Sequence, residues 1–397
     1  MMQSWPAHPE RGQRQGDPGS CTAYPVSSFA GGFPERLPAF SVPATPPLAK
    51  PGAASDIGHA MASSSNFQSW LRPDQSGLYC EPGGFHIDPS RPVSRAVITH
   101  GHSDHARPGH DAVLATADTL ALMRLRLGAG CFGQGQALAY GETLRLGEVS
   151  LRLAPAGHIL GSAQVVIDYR GQRAVISGDY KRRADPTCEA FEPVPCDLFV
   201  TEATFGLPVY RHGPDHGEVA KLLASLADFP GRTHQIGVYG LGKCQRLIAL
   251  LRQQGYDRPV YLHGALRSMS DYYAGRGIAL GDMPAVADAP GKLAGEIVLS
   301  PPSALGDRWS RRFAEPLNGF ASGWMRIRGR VRQRGVELPL IISDHADWPE
   351  LIATIAETGA GEVWVTHGRE DALVHELGKR SITARALRLV GREDDAE

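Results

Sequence analysis

A chain of 397 residues with 42% apolar and 21% charged side chains, 41 basic against 42 acidic, carries a net charge near −1. Such a chain is expected to be globular, with one large domain or two smaller ones, and it fits neither a collagen-like nor a coiled-coil nor a membrane-spanning class, because no apolar run approaches the roughly eighteen residues a span requires. With no overall basic field, a nucleic-acid partner would have to be held by a local basic track.

The first fifteen residues lack the apolar core of a signal peptide, so a cytoplasmic location is expected. The six cysteines, Cys21, Cys80, Cys131, Cys188, Cys196 and Cys244, form no C-x-x-C pair and read as reduced thiols. Residues 1–64 contain ten prolines before Gly52, mixed with Gly, Ser and Ala and without visible period, so this segment is expected to be disordered; Met61 is an alternative translation start. From Leu71 the pattern is one of short strands and tight turns, with residues 150–154, 163–169 and 173–177 reading as a meandering sheet. After Phe205, helical spacing over 216–229 and 243–255 alternates with β-like runs, QIGVYG, RPVYLHG and GEIVLSPPSA, which suggests an α/β unit with parallel strands. The last part repeats the alternation: LPLIISDHAD, a helix over 349–357, EVWVTHG, a helix over 370–379, and ARALRLV.

The central observation is Thr99-His100-Gly101-His102-Ser103-Asp104-His105, directly after the apolar strand 95–98. Ligands at offsets 0, 2, 4 and 5 cannot share one helix face; an extended segment puts His100 and His102 on one side, and a turn can swing Asp104 and His105 toward a second point. Two metal ions are therefore more natural than one. Imidazole and carboxylate ligands suit Zn²⁺, with Mn²⁺ possible, and the lack of cysteine argues against a purely structural site. Asp88, His158, Asp179, Glu202, His345 and His367 each stand at the carboxyl end of an apolar strand. Singly, such residues are more often caps; six with one placement point to strand ends converging on a site.

Some 130 residues, from Gly206 to about Pro339, separate the Glu202 region from the strand leading to His345, enough for a second α/β layer over the site. The Gly240-Leu241-Gly242-Lys243 turn, between strand and helix, could hold an anion such as phosphate or be a plain tight turn. Arg326, Arg328, Arg330, Arg332 and Arg334 recur at every second residue; on an extended segment they would form a row of five guanidinium groups suited to phosphates.

Asp88, the His100/His102/Asp104/His105 cluster, His158 and Asp179 resemble, in order and spacing, the first four motifs of the metallo-β-lactamase superfamily; Glu202, His345 and His367 resemble the acidic and histidine motifs of its β-CASP branch of nucleases. SGLYCEPGGFHIDPSRPVSRAVITHGHSDHARPGH and FASGWMRIRGRVRQRG look most like the bacterial ligase-associated DNA exonucleases, and the resemblance runs from about Leu71 to the C-terminus. It implies a metallo-β-lactamase αββα sandwich in two parts, residues 65–205 and 339–397, with a β-CASP α/β domain inserted over 206–338. It also implies one metal on His100, His102 and His158, a second on Asp104, His105 and His367, Asp179 bridging them, and Asp88 fixing a ligand imidazole through its other N–H. His345 is then the general acid, with Glu202 as orienting carboxylate, and Asp104 shares in catalysis.

The implied function is a two-metal DNA exonuclease in repair or end processing, with an ATP-dependent DNA ligase and a helicase as functional neighbours. The alternative is a ribonuclease of the RNA 3′-end-processing or maturation type, because His367 stands where Artemis-type DNA nucleases carry valine and RNA-processing members histidine, while Lys243 stands where the RNA type carries arginine. A small-molecule metallo-hydrolase fits the insert and the arginines poorly, and a silent nucleic-acid-binding scaffold fits a complete ligand set poorly.

Overall fold

The computed structural model describes residues 66–289, 291–313 and 315–389. The expectations for residues 1–64, including Met61 and Cys21, lie outside them. Strands β1 (Leu71–Pro73), β2 (Leu78–Cys80), β3 (Phe85–Ile87), β4 (Arg95–Val97), β5 (His110–Ala115) and β6 (Phe132–Ala137) form a six-stranded sheet in sequence order. A second sheet holds β7 (Thr143–Leu146), β8 (Val149–Pro155), β9 (Ala163–Tyr169), β10 (Gln172–Ile176), β11 (Leu198–Ala203), β17 (Glu362–Gly368) and β18 (Thr383–Ala386), in the order β18-β17-β11-β10-β9-β8-β7. Its β7 to β10 half is the antiparallel meander expected from the sequence. Its other half is parallel, so β11 and β17 deliver their carboxyl ends to the same edge as β10.

The two sheets share one apolar cluster, with Leu78, Val97 and Leu114 meeting Leu151, Val165 and Ile167. Alternation along β8 and β9 is what makes this possible, since successive side chains point to opposite faces. On the far face of the first sheet Val113 and Ala115 pack against Leu120 and Met123 of α1 (Ala117–Leu127). On the far face of the second, Val175, Phe199 and Val363 pack against α6 (Trp348–Thr358) and α7 (Glu370–Lys379) through Leu351, Ile355, Leu373 and Leu377. Helix α6 starts where it does because Asp347 and Glu350 cap each other's backbone N–H, at 3.2 and 3.1 Å.

The third sheet, β13-β14-β12-β15-β16, is all parallel, with β12 (His234–Gly237), β13 (Val260–Leu262), β14 (Ile297–Ser300), β15 (Leu317–Ala321) and β16 (Leu338–Leu340). Helices α2 (Asp215–Asp228), α3 (Lys243–Gln253) and α4 (Gly264–Gly275) cover it, and their core also takes in Leu122 of α1 and Ile159 and Leu160 of the β8–β9 turn. The insertion is therefore packed directly on the loop that carries His158.

Two expectations are corrected. Strand β16 pairs with β15, so the strand leading to His345 is the last strand of the parallel sheet and runs past residue 338. The arginine segment is not extended: a 3₁₀ turn (Gly323–Arg326) is followed by helix α5 (Arg328–Gln333). Alternate residues of a helix lie about 200° apart, so Arg326, Arg328, Arg330, Arg332 and Arg334 do not form one row. Arg330 instead lies over Trp324 at 4.2 Å, and Arg334 over Phe320 at 5.0 Å. Arginine is a good helix former, and period two in arginine alone carries no strand signal.

Among the described residues, no helix is long and apolar enough to cross a membrane, and Cys80, Cys131, Cys188, Cys196 and Cys244 are free thiols.

The turn after β10 depends on Gly178, whose φ is +56° and where a Cβ would stand 2.8 Å from the Thr99 side chain. Gly178→Ala is expected to destabilise the protein by about 1–3 kcal/mol, read from chemical denaturation, because it adds left-handed strain and displaces Thr99. An unchanged unfolding midpoint would contradict the close approach.

Candidate metal centre

The candidate residues arrive from three sheets, not from one sheet edge. Asp88 follows β3, His100 to His105 follow β4, His158 follows β8, Asp179 follows β10, Glu202 lies in β11, His367 lies in β17, and His345 follows β16 of the parallel sheet. The structure gathers them into groups whose donor atoms lie within 4.8 Å of one another: His100, His102, His158 and Asp179; Asp104, His105, Asp179 and His367; and Asp179, Glu202 and His345. Asp179 is common to all three. Its carboxylate oxygens stand 3.4 Å from His100 Nε2, 3.3 Å from His105 Nε2 and 3.7 Å from His158 Nε2. His367 Nε2 is 3.1 Å from Asp104 Oδ2.

What turns these nitrogens inward is a set of outward hydrogen bonds. His105 Nδ1–H donates to Asp88 Oδ2 at 2.8 Å. The same carboxylate accepts from the Thr99 backbone N–H at 2.7 Å and the Thr99 hydroxyl at 2.6 Å, and that hydroxyl oxygen in turn accepts from His100 Nδ1 at 3.0 Å. His158 Nδ1–H donates to the Asp344 carbonyl at 2.8 Å, and His102 Nε2–H to the Leu241 carbonyl at 3.1 Å. The remaining nitrogens of His102 and His158 then face each other as lone pairs at 3.0 Å. His100 Nε2 and Asp179 Oδ1 are buried without a hydrogen-bond partner. A buried concentration of acceptors is costly alone and is the donor set a divalent cation accepts.

Charge states fit the same use. Burial, followed by the neighbouring His105, lowers His100 to about 3, and burial with the surrounding imidazoles holds His158 well below its ordinary value. Burial pushes the Asp179 and Asp104 carboxyls up, but His105 and its neighbours outweigh this and hold both well below the carboxylate range. Neutral imidazoles and ionised carboxylates are the forms that ligate metal. Asp88 and His367 both have positive φ, +43° and +63°, a strained backbone that only a surrounding structure maintains.

Beside the cluster, His345 Nδ1 lies 2.9 and 3.1 Å from the two oxygens of Glu202. Glu202 is itself fixed by the Tyr180 N–H at 2.7 Å and the Thr204 hydroxyl at 2.5 Å. A cavity of about 320 Å³ opens here, lined by His102, Asp104 and His345 on one side and by Tyr239, Leu241 and Trp324 on the other. Lys243 also borders it, but its Nζ is buried against the Ile342 carbonyl and the Asp344 carboxylate, both at 2.9 Å, so the lysine of the Gly-Leu-Gly-Lys turn is engaged by an anion of the protein itself. Thr99 and the carbonyls of Leu241 and Asp344 were not among the sequence-derived candidates. The hydroxyl next to the first histidine was the one visible signal; backbone acceptors leave none.

No family model matches the chain. A protein of Opitutus terrae named "Probable DNA ligase" is 30% identical over 319 residues, 78% of this chain and 30% of that protein. A ribonuclease of Thermus thermophilus is 30% identical over 207 residues, 45% of this chain and 48% of that protein. In sequence the chain is similar to proteins of the β-CASP branch of the metallo-β-lactamase superfamily. It spans about a third and about half of the length of these two relatives. Among solved structures, one from Enterococcus faecalis V583, of unknown function, is similar in fold with a TM-score of 0.51 and 13% identity, covering 76% of this chain and 80% of that one.

Elemental analysis of the protein is expected to find two ions per chain when fully loaded. Asp179→Ala should lose both together, since it touches each group, while His158→Ala should weaken mainly one. A maximum of one ion would refute the binuclear arrangement.

Proposed function

We propose that the chain is a two-metal phosphodiesterase that degrades DNA exonucleolytically in repair or end processing, on a metallo-β-lactamase αββα sandwich (residues 65–205 and 339–397) with a β-CASP insertion over 206–338 whose last strand runs on to Leu340. The observation that carries this reading is the pair of four-residue donor groups sharing Asp179. His100, His102 and His158 would hold one ion, Asp104, His105 and His367 the other, Asp179 both, with Zn²⁺ favoured and Mn²⁺ the substitute. Such a pair, when bound, supplies a water of lowered pKa and neutralises charge on the phosphate.

The chain's own groups do the rest. Asp88 and Thr99 hold the His105 and His100 rings in place. Glu202 accepts the hydrogen bond of His345 Nδ1–H and so orients the ring, with Nε2–H as the proposed donor for the departing 3′-oxygen. Exposed Arg326, Arg328 and Arg332 offer contacts to phosphates, though not as a row. Support for DNA comes from the Opitutus terrae relative, in which a segment like this chain forms 30% of a polypeptide named for DNA joining. The ribonuclease reading is favoured by His367, which stands 3.1 Å from Asp104 in the donor set, and by the Thermus thermophilus relative. A DNA ligase and a helicase are the proposed functional neighbours.

The deciding experiment gives the loaded protein end-labelled single-stranded DNA and RNA of one sequence, with Zn²⁺ or Mn²⁺. Stepwise shortening of the DNA is expected; faster cleavage of the RNA would overturn the substrate, and no cleavage of either would overturn the activity. His345→Ala is expected to slow DNA cleavage about 10²–10⁴-fold at unchanged metal content, and to matter much less for a nitrophenyl phosphodiester, whose leaving group needs little protonation. Loss of metal in that variant would make His345 a ligand instead.

A further inference from the structure

Behind the candidate centre lies a buried network of six charges that the reaction does not use. Arg246, on the first turn of α3, is its hub. Nη1 donates to Asp344 Oδ1 at 2.9 Å and to the Ser343 carbonyl, Nη2 donates to the Asp215 carboxylate, and Nε stands 3.5 Å from Asp185 Oδ2. Asp185 also pairs with Lys181, and Asp344 Oδ2 pairs with Lys243 at 2.9 Å. Three cations face three carboxylates, and all six side chains are between 1% and 8% exposed.

The network joins segments that lie far apart in the sequence. Asp215 opens α2, while Lys243 and Arg246 open α3, all in the insertion. Lys181 and Asp185 lie two and six residues beyond Asp179, and Asp344 directly precedes His345. Asp344 is also the residue whose carbonyl accepts the hydrogen bond of His158 Nδ1–H. A buried ion network is weak evidence of stability, because well-packed apolar residues of the same volume often do as well or better. What six mutually restrained charges do provide is fixed geometry. A planar guanidinium with rigid donors can hold carboxylates from three separate segments in one arrangement, as neither lysine nor an apolar side chain can.

We propose that Arg246 is a positioning residue for the metal centre: by clamping Asp344 it fixes the acceptor of His158 Nδ1–H, so that a helix of the insertion sets the affinity of the His100/His102/His158 half. This rests on the two-metal reading of the cluster. Groups that orient a ligand imidazole commonly account for about 10- to 100-fold in metal affinity. The effect is expected to be one-sided, because in the other half His105 is oriented through Asp88, which does not touch the network.

The test is competition of the full-length protein against a chelator for Zn²⁺, giving two stepwise affinities, with far-UV circular dichroism of the metal-free protein as the folding control. Arg246→Lys, which keeps the charge and loses the fork, should weaken one step about 10- to 100-fold and leave the other within about threefold. His158→Ala should affect the same step, and His367→Ala the other. Unchanged steps in Arg246→Lys, or equal loss in both, would overturn the positioning role. If Arg246→Lys does not fold, the double variant Lys243→Met with Asp344→Asn, which removes one charge of each sign, decides by the same criterion. Failure of the wild-type protein to bind two ions would overturn the two-metal reading itself, a different result from a wild type with two steps and an indifferent Arg246→Lys.

Discussion

The constraint on which the rest of this structure depends is the direction of its imidazole N–H groups. His100, His102, His105 and His158 each spend a proton on an outer acceptor, so their other nitrogens turn toward one buried carboxylate, Asp179. Acceptors facing acceptors at 3.0 to 3.7 Å, out of water, repel one another and are desolvated at a cost. The surrounding protein has to hold them there. It does so with three sheets, with two site residues in strained backbone, and with a glycine at 178 that lets the Asp179 turn pass against Thr99. Such an arrangement is intelligible as a receptacle for cations and hard to account for as a packing solution, since apolar residues would fill the same space without penalty.

Most of the site was legible because its chemistry is carried by side chains whose type is rare and whose spacing is geometric. The HGHSDH run and six polar residues closing apolar strands needed only the period of a strand to be placed near one another. What was not legible is what has no side-chain signature. The carbonyls of Leu241 and Asp344 orient two of the four histidines, and any residue can supply a carbonyl. Lys243 looked like an anion site because its intended anion, Asp344, lies 101 positions away in sequence and adjacent only in the fold. The arginine alternation failed for a different reason: arginine accepts a helix readily, and in this one Arg330 stacks on Trp324 and Arg334 on Phe320.

The reassignment of β16 changes how the insertion is understood. With His345 placed at the end of the insertion's own sheet, the insertion is more than a roof over a finished centre. Its last strand leads into the loop of the candidate acid, it supplies through Leu241 the acceptor for His102, and its apolar core includes Ile159 and Leu160 beside His158. The donor groups and the residue that would protonate the leaving oxygen therefore come from different layers, and their relative position is fixed only where those layers pack.

That division also separates the two kinds of histidine. A ligand ring must turn a lone pair inward, whereas an acid must turn a proton toward the substrate. His345 Nδ1 touches both oxygens of Glu202, a carboxylate already oriented by a backbone N–H and a hydroxyl, and it stands 4.0 Å from Asp179. A nitrogen whose N–H is directed at a carboxylate is a donor there and offers no lone pair to a metal. The side chain borders the cavity that a polymer end would enter. In one small volume the protein thus arranges inward-facing lone pairs where positive charge would be bound and a held proton where negative charge would develop on the departing oxygen, and it is the hydrogen-bond partner behind each ring that decides which of the two it is.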